Sequence, residues 1–125
     1  MRAPVLAALA ITVIAAPGAA RDRNAIPEAT LDGKPVSCIP IAQIRESQVR
    51  SDSVIDFRMS GNRTYRVTLP QACPSLGFER RFSYETSLSQ LCQQDIITVL
   101  YQTGPMRGAS CGLAPFQPVK LAKTK

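Results

Sequence analysis

The sequence contains no histidine. That removes the side chain most often used as a general base near neutral pH, and with it the imidazole ligand of most zinc and iron centres. Closely spaced cysteines are also missing. Cys38, Cys73, Cys92 and Cys111 are separated by 34, 18 and 18 residues, which excludes a C-x-x-C redox pair and the paired ligands of a zinc knuckle. No calcium loop, metal-ligand spacing or phosphate-binding glycine loop occurs, nor any internal repeat or low-complexity block. No cofactor or metal is expected. Carboxylates are sparse, with 9 Asp and Glu against 15 Lys and Arg, for a formal net charge of +6.

The chain begins with a segment unlike the rest. Met1 and Arg2 precede the uncharged run Val5 to Ala16, and Gly18 and Ala20 sit where a signal peptidase requires small residues. Residues 3–20 supply 18 uncharged positions, the lower limit for a membrane span, but Pro4, Pro17, Gly18 and many alanines make a weak one. The expectation is a secretory signal over residues 1–20, cleaved after Ala20. The remaining chain, 21–125, carries 14 basic and 9 acidic side chains, a net charge of +5. An exported location, periplasmic or extracellular, is oxidising, and an even cysteine count there reads as two disulfides. Four cysteines allow three connectivities. The expected one joins Cys38 to Cys111, closing the domain, and Cys73 to Cys92, stapling a middle loop.

Residues 21–34 are polar and without periodicity, and are expected to form a flexible leader; order is expected over 35–119, with 120–125 a basic tail. Pro40 can open a single helical turn with Ile41 and Ile44 on one side. In "SVIDFRMSGNRTYRVTLP", Ile55, Phe57 and Met59 alternate with polar neighbours, as do Tyr65, Val67 and Leu69. Period two on both sides of Ser60–Asn62 predicts a hairpin with one buried face. Setting Phe57 opposite Tyr65 gives a three-residue loop and puts Asn62 where a left-handed conformation is required. The same register pairs Asp56 with Arg66 on the outer face. A slip of two would oppose Arg58 to Arg66, which like charges disfavour.

Further on, Phe82 and Tyr84 alternate with polar residues, and Ile96–Tyr101 is β-branched enough for a central strand. "ESQVR" and "FQPV" are weaker edge strands, the latter because of Pro115 and Pro118. "ACPSLG" and "TSLSQLCQQ" read as loops with a helical turn each. The predicted fold is mainly β: a small antiparallel barrel or rolled sheet of five to six short strands with one or two helical turns.

"GASCG" matches the G-x-S-x-G nucleophile pattern at Ser110. The elbow needs a following helix and a base, yet "LAPFQP" follows and no histidine exists. The alternative is structural: Gly108 and Gly112 let the backbone turn so that Cys111 reaches its partner. Glu46, Glu79, Glu85 and Asp95 are scattered singly, whereas glycosidic hydrolysis requires two carboxylates facing across a cleft. Arginine forks bind phosphate and carboxylate with paired hydrogen bonds, so Arg58, Arg66, Arg80 and Arg81 form a candidate anion-binding set. A nucleic-acid reader would need exposed aromatics for stacking, but Phe57, Tyr65, Phe82 and Tyr84 fall on the inward face.

The stretches "CIPIAQIRES", "FRMSGNRTYRVTLPQACPSLGFERRFSYETS", "LCQQDIITVL" and "ASCGLAPFQPV" together resemble a family of short exported Gram-negative bacterial proteins catalogued as a domain of unknown function. The likeness spans nearly all of Cys38 to Val119. It implies a Gram-negative source, export, and the four cysteines as the family framework, and it carries no functional residues over. The chain thus reads as an exported non-enzymatic binding or structural module. Its partner would be an anionic envelope polymer, a lipid or an envelope protein rather than nucleic acid. A small carboxylate-dependent hydrolase of envelope polysaccharide is the alternative.

Overall fold

A computed structural model describes Ala10 and residues 26–86, 88–102 and 107–122. Apart from Ala10, the expected signal segment with its cleavage point lies outside the described residues, as do the start of the leader and the last three residues of the basic tail.

The chain is mainly β. Ten strands form three antiparallel sheets among the described residues. The largest contains β1 (Ala29–Leu31), β3 (Ile44–Val49), β4 (Val54–Met59), β5 (Thr64–Thr68) and β10 (Gln117–Leu121), in the order β1-β10-β5-β4-β3. β2 (Cys38–Pro40) pairs with β7 (Gln90–Cys92), and β8 (Ile96–Leu100) lies between β6 (Phe82–Tyr84) and β9 (Arg107–Gly112). None of the sheets closes on itself, so the expected barrel is corrected to three open sheets around one core. The expected five to six strands become ten: β9 lies in the stretch expected to turn at Gly108, and β1, β2 and β7 are only three residues long. Such segments are too short for an alternating pattern to announce them.

The inward faces of the three sheets share one cluster. Phe57 and Ile55 from β4, Val67 from β5, Ile97 and Val99 from β8, and Ile39 and Leu91 from β2 and β7 are all buried in it. Phe57 anchors the aromatic part, meeting Phe116 and Phe82 edge to face at ring separations of 5.7 and 6.3 Å. Such pairs add about 1 kcal/mol each beyond the area they bury.

The central hairpin has the register that its charges and loop require. Ile55 opposes Val67, Phe57 opposes Tyr65 and Asp56 opposes Arg66, while Arg58 stands against Thr64. Asn62 closes the loop at φ 59°. β3 is an edge strand, and Ile96–Leu100 is a central one. A 3₁₀ turn follows Pro40 at Ile41–Gln43, and a single α-helical turn, α1, spans Leu76–Glu79.

Other expectations change. The disulfides are Cys38–Cys92 and Cys73–Cys111, not Cys38–Cys111 and Cys73–Cys92. Cys38 and Cys92 are direct cross-strand partners on β2 and β7, with Cα atoms 4.0 Å apart. Flanking hydrogen bonds from Gln93 N to Ser37 O and Ile41 N to Ser89 O leave the cysteines in the closer, non-hydrogen-bonded pair type. Strand pairing therefore selects the partner. Cys73, on the segment between β5 and α1, is then joined to Cys111 on β9, tying the largest sheet to the three-stranded one.

Ordered structure starts before Pro35: β1 lies within the expected leader and pairs with residues 119–121 of β10. Lys120 and Leu121, assigned to the tail, belong to β10 as well. β10 is interior rather than an edge. It tolerates Pro118 because that residue's carbonyl accepts from Asp32 just past the end of β1. The absent N–H points the same way, where the ladder has already stopped. "TSLSQLCQQ" holds β7 and no helical turn among the described residues.

Candidate functional site

The four candidate arginines do not form one face. Arg66 is consumed internally. Its Nε donates to Asp56 Oδ1 at 2.8 Å, and its Nη2 donates to Asp56 Oδ2 and to the Pro27 carbonyl, both at 3.0 Å. Arg50, from the end of β3, donates Nε to the other side of the same carboxylate at 2.9 Å. Asp56 is only 1% exposed, so the hairpin's outer face is covered at this point by two guanidinium groups and the chain near Pro27. Burial of a charge on the non-core face has no local sequence signal. It requires a strand neighbour on each side, both contributing arginine.

Arg58 is different. It pairs with Glu46 at 3.1 Å, with side chains 59% and 44% exposed, a contact worth well under about 1 kcal/mol in water. A β-bulge between Ile44 and Glu46 offsets Arg45 from the regular register. Arg45 and Arg58 then line one cleft of about 280 Å³ together with the hairpin turn Ser60–Asn62. Arg63 stands at the same end, its Nη2 donating to Gln43 Oε1 at 3.0 Å. Arg80 and Arg81 lie apart, lining a separate cleft with Ser47, Phe82 and Tyr84. Arg45 is the member that local reasoning left out, since only the bulge brings it beside Arg58.

Ser110 is not on an elbow. "RGASCG" is strand β9, and the Ser110 hydroxyl lies 2.9 Å from that of its cross-strand neighbour Thr98. The role expected of Gly108, freeing a turn, is also corrected: it lies in the strand, and a Cβ there would come within 2.8 Å of the Tyr101 ring.

Two of the four scattered carboxylates share a cleft. Glu85 and Asp95 line one cleft of about 360 Å³ beside Arg107, with Ser83, Gln94 and Thr98. Asp95 Oδ2 accepts the Cys92 N–H at 2.7 Å, which holds this carboxylate against the disulfide-bonded strand. Glu46 is paired with Arg58, and Glu79 Oε2 accepts from Gln102 N at 3.3 Å. Neither lines this cleft. No protein-family model, curated protein or solved structure matches this chain.

The aromatics needed for base stacking are engaged elsewhere: Tyr65, Phe82 and Tyr84 are half-buried and packed against the core. Phe78, on α1, is by contrast widely exposed. Among the described residues no helix is long and apolar enough to cross a membrane, and no cluster of potential metal ligands occurs. Both disulfides suit an oxidising compartment.

Proposed function

We propose that this chain is an exported, non-enzymatic binding module of the cell envelope that contacts an anionic component through Arg45 and Arg58. The observation that carries the reading is the pair of exposed guanidinium groups flanking one cleft at the turn end of the β4–β5 hairpin. The Glu46–Arg58 pair is weak enough for an incoming phosphate or carboxylate to displace, and a bidentate guanidinium contact rewards the exchange. The Arg66 half of the expected site is structural, because removing that side chain uncovers Asp56. The signal-like first twenty residues and the two disulfides support the compartment. The test is binding of the oxidised protein to a soluble polyanion and to anionic lipid vesicles across a salt series. Binding should weaken as salt rises, and Arg45→Ala/Arg58→Ala should reduce it about tenfold, the loss of two exposed charged contacts. Affinity that ignores both salt and the double substitution defeats the proposal.

The hydrolase reading rests on Glu85 and Asp95 sharing a cleft. Against it, general-acid work on a glycosidic bond calls for a carboxyl group in an apolar pocket. Glu85 is exposed, and Asp95 is half-buried with one oxygen committed to a backbone N–H.

A further inference from the structure

The outward face of the three-stranded sheet carries a row of hydroxyl groups. Ser83 on β6 stands opposite Thr98 on β8, and Thr98 stands opposite Ser110 on β9. Directly opposed residues of antiparallel strands point to the same side, and the core side here is occupied by Ile97 and Val99. The row therefore faces away from the core. Ser83 and Thr98 open into the cleft that also holds Glu85, Asp95, Gln94 and Arg107. Ile96, more than half exposed, supplies an apolar patch at the same place.

These groups match one class of ligand. Two carboxylates accept hydrogen bonds, one guanidinium donates, and the amide and hydroxyls do both. Vicinal hydroxyls of a sugar offer donors and acceptors at the spacing that planar carboxylate, amide and guanidinium groups span, and a ring's C–H face can rest on Ile96. The local charge, two negative against one positive, disfavours phosphate or an acidic polymer. A lining this polar disfavours a purely apolar ligand. The volume, about 360 Å³, lies within the range of small-molecule sites. The walls are also held before any ligand arrives: Asp95 by the N–H of the disulfide-bonded Cys92, and Thr98 by Ser110. Such preorganisation lowers the ordering cost of binding. We infer that this cleft binds a neutral oligosaccharide chain, as a second site distinct from the arginine pair of the hairpin. The inference shares its cleft with the hydrolase reading and needs no turnover.

The experiment is an amide-resonance titration of the oxidised protein with chitotetraose, cellotetraose and maltotetraose as neutral probes, tetragalacturonate as the acidic one, and a parallel assay for new reducing ends. At least one neutral probe should move the resonances of residues 83–85 and 94–98 saturably, while tetragalacturonate leaves them in place. Glu85→Ala should weaken that binding about tenfold, the loss of a charge-assisted hydrogen bond, and Thr98→Val about threefold. Both substitutions should leave resonances remote from the cleft unchanged. Binding without new reducing ends upholds the inference and ends the hydrolase reading; binding with them upholds both. Silence from all three neutral probes, or binding indifferent to both substitutions, overturns it and leaves the Arg45–Arg58 reading to its own test.

Discussion

Replacing Asp56 by asparagine changes almost no volume and removes one charge. In the native protein the carboxylate accepts three charge-assisted hydrogen bonds, one from Arg50 Nε and two from Arg66. An asparagine amide keeps one accepting oxygen and turns an NH₂ toward the donors of the other. If the NH₂ takes the Oδ1 position one bond is lost, and if it takes the Oδ2 position two are lost. The cheaper choice costs about 1.5–3 kcal/mol for a bond to a charged group. Two guanidinium groups, 23% and 15% exposed, are then left facing each other without a counter-charge. Breaking a buried ion pair from one side costs about 3–5 kcal/mol, and the partial exposure of both arginines places this case near the lower end. Asp56→Asn should therefore lose about 3 kcal/mol, while Glu46→Gln in the exposed pair with Arg58 should lose less than about 0.5 kcal/mol. In urea unfolding of the oxidised protein, a slope of about 1.5 kcal/mol/M turns the first into a midpoint lower by about 2 M. Replacing all three members at once, with Arg50→Met, Asp56→Leu and Arg66→Met, should recover most of the loss, because no unpaired charge then remains. If Asp56→Asn and Glu46→Gln shift the midpoint equally, the buried triad is not holding the outer face as described.

Peptide mapping without reduction should recover Cys38 linked to Cys92 and Cys73 linked to Cys111. Removing either bridge by paired Cys→Ala substitutions should cost about 4 kcal/mol in urea unfolding, from the chain entropy of loops of 54 and 38 residues. Gly77→Ala should cost about 2 kcal/mol or more, read by thermal unfolding, because the added Cβ would lie 3.0 Å from the Asp52 backbone nitrogen and 3.1 Å from the Ser51 carbonyl carbon. A flexible side chain could move aside there, and backbone cannot. An unchanged melting temperature would mean that α1 is not clamped to the turn between β3 and β4.

The hairpin was legible because its information is local. Alternation at Ile55, Phe57 and Met59, an asparagine at the left-handed loop position and opposite charges at Asp56 and Arg66 all act within fifteen residues. The cysteine partners were not, since Cys38 finds Cys92 only once β2 and β7 pair across 54 residues, and neither three-residue strand has a period to read. β1 was hidden for the same reason. The candidate sites follow this division. Arg58 could be picked out as exposed from the hairpin alone, but the burial of Arg66 depended on Arg50 arriving from β3 and on Pro27 arriving from the leader. The hydroxyl row needed the partners of β8 on both sides. Glycine in "GASCG" misled because a lack of side chain can serve a close approach, here to Tyr101, as well as a turn.

The crossed order of the two bridges has a consequence for how the molecule is made. A chain delivered amino end first presents Cys38 and Cys73 to an oxidant before either native partner has appeared. Sulfurs joined in order of arrival would give a bond that the finished protein does not contain. Thiolate attack on that bond must exchange it away, which takes seconds to hours depending on the oxidant and on any isomerase present. Yield in a host compartment that oxidises quickly and reshuffles slowly should therefore fall well below what the stability of the native form would suggest.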